Sequence, residues 1–248
     1  MKYLLAALVL ICGSVSAQSY QTGDLTITGS AAIDFSTNGI TAGSVDAGAS
    51  TGAVTLDLIG AGTVGTVTTG SGNDDIDMTT AARTAGDYTI VMGAGTDSLD
   101  VGVDEGFTVD MGAGTDTITF SGGARDFSAQ TVSMAGVEAI TNAANVTLTA
   151  AAFVTDNIFS KAGAGTLIVT GTANSDNVDA SNVVVTAGGI TINGGASADT
   201  LTGAATATAI NGGDGNDTIT GGAGADTIDG GNGNDTISTG AGGGAVGG

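Results

Sequence analysis

From Gly194 onward the chain divides into nines without a gap, and this period constrains its fold more than any other feature. The units are GGASADTLT (194–202), GAATATAIN (203–211), GGDGNDTIT (212–220), GGAGADTID (221–229) and GGNGNDTIS (230–238), followed by a degenerate TGAGGGAVG at 239–247. Three consecutive units fit G-G-x-G-x-D-x-U-x at every specified position, where U is a large aliphatic residue. A Gly-rich chain can produce one such unit by chance, but three in strict tandem mark a repeat architecture. The first six residues of each unit are too Gly-rich and polar for a strand and must turn. The aliphatic eighth residue then points into a core from a short strand. Consecutive units turn on opposite sides of a flattened helix, so unit n stacks on unit n+2.

The same phrase recurs upstream at wider spacing. TGSGNDDID (69–77), MGAGTDSLD (92–100) and MGAGTDTIT (111–119) put Asp74, Asp97 and Asp116 at the sixth position, and GTANSDNVD holds Asp176 as a looser copy. Asp176 precedes Asp199 by 23 residues, and Asp199 precedes Asp217 by 18, which is two nonapeptides. Between these turns lie period-two alternations bounded by Gly, as in Asp24–Thr28, Ala53–Leu58, Phe107–Asp110 and Gly189–Asn193, the pattern of half-buried strands. No amphipathic helix is evident, and Ser133 to Ala150 carries the least decided pattern. The expected fold is all-β, a parallel β-solenoid with longer irregular rungs N-terminally and a regular nonapeptide roll C-terminally. The expected organisation is a leader at 1–17, a solenoid at 18–193, and a nonapeptide roll with a Gly-rich tail at 194–248.

Composition agrees with frequent sharp turns: Gly is 45 of 248 residues and Pro is absent, which excludes collagen and Pro-rich linkers. Charge is one-sided, with 25 acidic residues against 4 basic ones, and only Glu105 and Glu138 among the acids are Glu. Short Asp carboxylates close to the backbone suit turns and oxygen-ligand sites. Nucleic acid and anionic membranes demand basic patches and are excluded as partners. The natural partner is a cation. Lys2, the apolar run Tyr3–Cys12 and the small residues Val15-Ser16-Ala17 read as a secretory leader cleaved before Gln18. Ile11 is bulky for lipidation at Cys12. The apolar run is too short to span a bilayer, so the mature chain is expected to be exported with neither a transmembrane segment nor a disulfide.

These residues resemble the RTX calcium-binding repeat family, closely over 194–238 and more loosely over segments such as 44–78 and 136–150, which are similar to bacterial RTX-type surface-layer and adhesin proteins. The resemblance implies a calcium β-roll with Ca²⁺ as the cofactor, held between stacked turns. It implies that Asp217 and Asp235 share an ion with carbonyls of Gly212, Gly215, Gly230 and Gly233, and that Asp199 and Asp217 frame another, with Ser197 replacing a glycine. On the opposite side Asp226, with Gly221 and Gly224, lies between units bearing Thr208 and Gly244 at the sixth position, leaving a half-formed site. Upstream, Asp97 and Asp116 are the expected pair, with Asp74 as a third member.

Enzymatic motifs fare poorly. Gly48-Ala49-Ser50-Thr51-Gly52 fits G-x-S-x-G, but the chain has no His to serve as base. Gly60–Gly65 fits G-x-G-x-x-G without the helix that should follow. The expected function is therefore not enzymatic: a calcium-binding structural protein of the cell surface or matrix that self-associates or contacts cell-surface components. The alternative is a calcium-dependent adhesin or ligand-binding module.

Overall fold

A computed structural model describes residues 24–35, 44–58, 65–79, 88–102, 106–152 and 160–248. The leader at 1–17 with Cys12, and most of the Gly60–Gly65 motif, lie outside the described residues. Among the described residues there is no helix, and every strand pairing within the sheets is parallel. The protein is a parallel β-solenoid. It separates into two compact units, one comprising described residues up to Ser121 with Ser133–Val137, the other Gly122–Val132 with Glu138–Gly248.

In the first unit the chain alternates between two sheets. Ser44–Ser50, Thr66–Thr68, Tyr88–Val91 and Phe107–Asp110 stack in one, and Val54–Asp57, Asp75–Met78, Ser98–Val101 and Thr117–Phe120 in the other. Register places Ile76 on Leu99 and Leu99 on Ile118, with Val67 on Ile90 and Ile90 on Val109. These side chains are 0–1% exposed. Period-two patterning puts every second residue of a strand into the interior, two apolar side chains in each four-residue strand, and in-register stacking sets apolar on apolar. Each buried aliphatic side chain contributes about 1.5–3 kcal/mol, which lets a chain with few aromatics form a core.

The second unit uses the same device with a tightening period. Of the stretch from Ser133 to Ala150, the strands Ala139–Asn142 and Val146–Thr149 belong to this unit. Leu167, Ile190 and Val146 belong to rungs of unequal length, since Val146 pairs with Leu167 and Leu167 with Ile190. From Ile192 onward the spacing is two nonapeptides: Ile192 pairs with Ile210 and Ile210 with Ile228, while on the opposing sheet Leu201 pairs with Ile219 and Ile219 with Ile237. Eighth-position Leu201, Ile219 and Ile228 are 0–1% exposed.

Candidate metal centre

The sixth-position Asp residues lie inside the turns, stacked rung upon rung. Each carboxylate accepts, through Oδ1, the backbone N–H of the equivalent residue one rung earlier. Asp74 accepts from Val54, Asp97 from Asp74, and Asp116 from Asp97, each at 2.8 Å. In the second unit Asp199 accepts from Asp176 at 2.7 Å, Asp217 from Asp199 at 2.8 Å, and Asp235 from Asp217 at 3.0 Å. On the other side of the roll Asp226 accepts from Thr208 at 2.9 Å, and Gly244 stands in register beyond it. The structure therefore groups the candidate residues in three columns: 74/97/116, 176/199/217/235, and 226 alone between Thr208 and Gly244.

Oδ1 is thus committed to the scaffold, and the second oxygen is left for something else. Asp74, Asp97, Asp199, Asp217 and Asp226 are 1–2% exposed, and the Oδ2 of each is buried with no hydrogen-bond partner. Leaving a buried carboxylate oxygen unmatched is costly unless a ligand meets it. Carbonyls converge on the same places. A methyl group on Gly212 would collide with both Asp217 Oδ2 and the carbonyl oxygen of Gly230; one on Gly194 would meet Asp199 Oδ2 and Gly212 O. The first-position glycines thus leave a cradle of hard oxygens that any side chain would fill. Gly221 offers the same cradle to Asp226 Oδ2, but its stacked carbonyl comes from Thr239. At Gly203, where Thr208 replaces Asp, the nearest neighbours of an added Cβ are the Gly221 carbonyl and the Ile210 side chain, with no carboxylate oxygen among them.

The fourth-position glycines also let the turns stack. Gly215, Gly224 and Gly233 have no room for a Cβ because the preceding turn's backbone lies directly against them. Gly215 and Gly233 adopt φ of +145° and +141°. Ser197, in the same position, takes φ +74° and donates its hydroxyl to Ala173 O at 2.9 Å. Asp176 closes its own end of the column, because its Oδ2 accepts the N–H of Thr172 at 2.6 Å and its hydroxyl at 3.0 Å.

Burial pushes Asp97 up to about 6. The Asp74 N–H opposes this, and the charges of Asp74 and Asp116 add to it. Burial likewise raises Asp199 and Asp226, against the N–H donors of Asp176 and Thr208. Among the described residues no three acidic side chains draw together into a metal-binding group. A cation here must be held by paired carboxylates and carbonyls, the hard oxygen set that Ca²⁺ accepts in sixes to eights. The unmatched oxygens and bare first-position Cα atoms fit such an ion.

Ser50, the central residue of the G-x-S-x-G match, is 1% exposed, and its hydroxyl donates to Gly52 O at 3.1 Å. Sequence reasoning missed Lys161, which is 0% exposed. Its only signal is that it is one of just 4 basic residues in the chain.

Fold and columns together define a repeat protein whose turns are built around a cation. Residues 191–206 and 211–244 match the RTX calcium-binding nonapeptide repeat family in 4 copies. The chain therefore carries RTX-type calcium-binding repeats, and its C-terminal strands form a calcium β-roll. The gap between the matched segments covers 207–210, where Thr208 takes the place of the sixth-position Asp. No curated protein and no solved structure matches the chain.

Proposed function

We propose that this protein is an exported structural component of a cell surface or extracellular matrix that folds and assembles on calcium. The observation that carries this reading is the buried Oδ2 of Asp199, Asp217 and Asp226, each unmatched beside a bare glycine Cα. Asp199, Asp217 and Asp235, with the carbonyls of Gly212 and Gly230, are the residues that would hold Ca²⁺ on one side of the roll. Asp226 with Gly221 would hold it more weakly on the other, and Gly215, Gly224 and Gly233 let the turns stack closely enough. Asp74, Asp97 and Asp116 are read as weaker sites, because their first-position residues are the buried side chains Thr69, Met92 and Met111 rather than glycine. The ion supplies positive charge among stacked carboxylates; the chain supplies the cradle and excludes water.

A net charge of −21 opposes compaction until cations bind. Extracellular calcium modules bind at about 10⁻⁴–10⁻³ M, so the roll would stay loose in the cytosol and order after export. The absence of His and the burial of Ser50 favour a structural role over a catalytic one. Circular dichroism of the full chain during a Ca²⁺ titration from chelator tests the reading. A gain of β signal is expected, and a spectrum unchanged to millimolar Ca²⁺ would reject it.

A further inference from the structure

We propose that the ammonium of Lys161 is a tethered cation filling a carbonyl cage, so that its column of turns stands without calcium, and that cutting the side chain back opens a site for a small monovalent cation. Lys161 lies on the strand Ser160–Ala162 in register with Ile140, an inward position that is apolar one rung earlier. Its side chain is fully buried. An ammonium has three donors, and all three are used. Nζ donates to the carbonyls of Gly163 at 2.9 Å, Ala187 at 2.8 Å, and Gly165.

The acceptors come from two turns stacked one rung apart, so the charge ties successive rungs together. Gly188, at φ +71°, completes the cage: a Cβ there would run into Nζ and Gly165 O. One rung earlier Asn142, also 0% exposed, donates Nδ2 to Ala144 O at 2.9 Å. This column thus closes its turn carbonyls with its own side chains, where the Asp columns present carboxylates to an outside ion. Among the described residues no carboxylate is a partner of Nζ. A cage of neutral carbonyls matches one positive charge, whereas Ca²⁺ sites normally include carboxylates.

The test is hydrogen exchange of the full chain in chelator. The amides of Gly165 and Thr186, which donate to Asn142 O and Lys161 O, should exchange at least about tenfold more slowly than those of Gly215 and Gly221 in the nonapeptide turns. Lys161→Met, which keeps the stem and removes the charge, should speed Gly165 and Thr186 about tenfold and leave the calcium response of Gly215 unchanged. Lys161→Ala should regain protection with n-propylammonium or ammonium, and not with equal concentrations of calcium. If Lys161→Ala unfolds the chain, recovery of the β signal with alkylammonium reads the same outcome. Wild-type exchange in Lys161→Met, rescue by calcium, or no rescue by any ammonium would overturn the proposal. Protection of Gly215 in chelator would instead count against the calcium reading, while the Lys161 variants still decide this one.

Discussion

At the scale of single residues the solenoid depends on where it has no side chain. Gly213 has φ +106°, and a Cβ on it would collide with the carbonyl of Gly195. Gly123 has open space around it. Gly213→Ala should therefore cost about 1–3 kcal/mol or more from backbone strain and collision, and Gly123→Ala should be near neutral. Urea midpoints in saturating calcium will separate the two; equal losses would mean that the turns are looser than described. Asp97 gives a pH dependence of unusual sign. Its native carboxyl titrates near 6 against an ordinary 3.8, so between those values the native state binds more protons than the unfolded one. Stability contributed by this group is thus present at low pH, falls as pH rises from about 4 to 6, and is absent above. In chelator, acidification from pH 7 to about 4.5 should stabilise the chain by on the order of 2 kcal/mol through Asp97 alone. Asp97→Asn should flatten the slope. A urea midpoint that falls steadily on acidification, unaffected by that substitution, would contradict this.

At the scale of elements, turn and strand divide the labour. Strands supply stacked aliphatic contacts, and turns supply oxygens. Because units stack at n and n+2, the value of a turn depends on what lies one rung either side. Asp217 stands between Asp199 and Asp235, whereas Asp226 stands between Thr208 and Gly244. Asp217→Ala should therefore remove more bound calcium than Asp226→Ala in isothermal calorimetry, and equal losses would show the columns to be energetically alike. Thr208→Asp tests the same logic by addition. It places a carboxylate one rung below Asp226, over the bare Gly203 Cα, and should raise calcium stoichiometry by one. An unchanged stoichiometry would mean that a carboxylate pair is not what limits that side.

For the whole molecule, acidity and parallel stacking pull in opposite directions. Without cations the Asp columns set like charges one rung apart, about 4.8 Å, inside turns that exclude water. Calcium removes that repulsion and lowers net charge, which favours association of unpaired strand edges. The edge strand Gly244–Gly247 exposes Val246 at 52%. Calcium-dependent oligomers or sheets are expected in light scattering at millimolar Ca²⁺. A strict monomer at high protein concentration would move the reading toward an adhesin or ligand-binding module.

The nonapeptide period by itself determined the solenoid, the two-unit rung, the stacking of Asp199, Asp217 and Asp235, and the place of Asp226 between Thr208 and Gly244. It could do so because in a parallel stack, sequence separation equals spatial register. Upstream, spacings of 19 and 23 residues still betrayed the column of Asp74, Asp97 and Asp116, since each sixth-position Asp must return to the same turn whatever the loop between. What sequence could not show is how one carboxylate divides its oxygens. Only the tertiary structure assigns Oδ1 to the neighbouring rung's N–H and leaves Oδ2 beside a bare Cα, because that depends on the rise between rungs and the local turn. It also decides the fate of Lys161. A lone lysine in a short alternating run has no partner in sequence. Its three carbonyls come from its own turn and from one 26 residues away, and stacking alone brings them together.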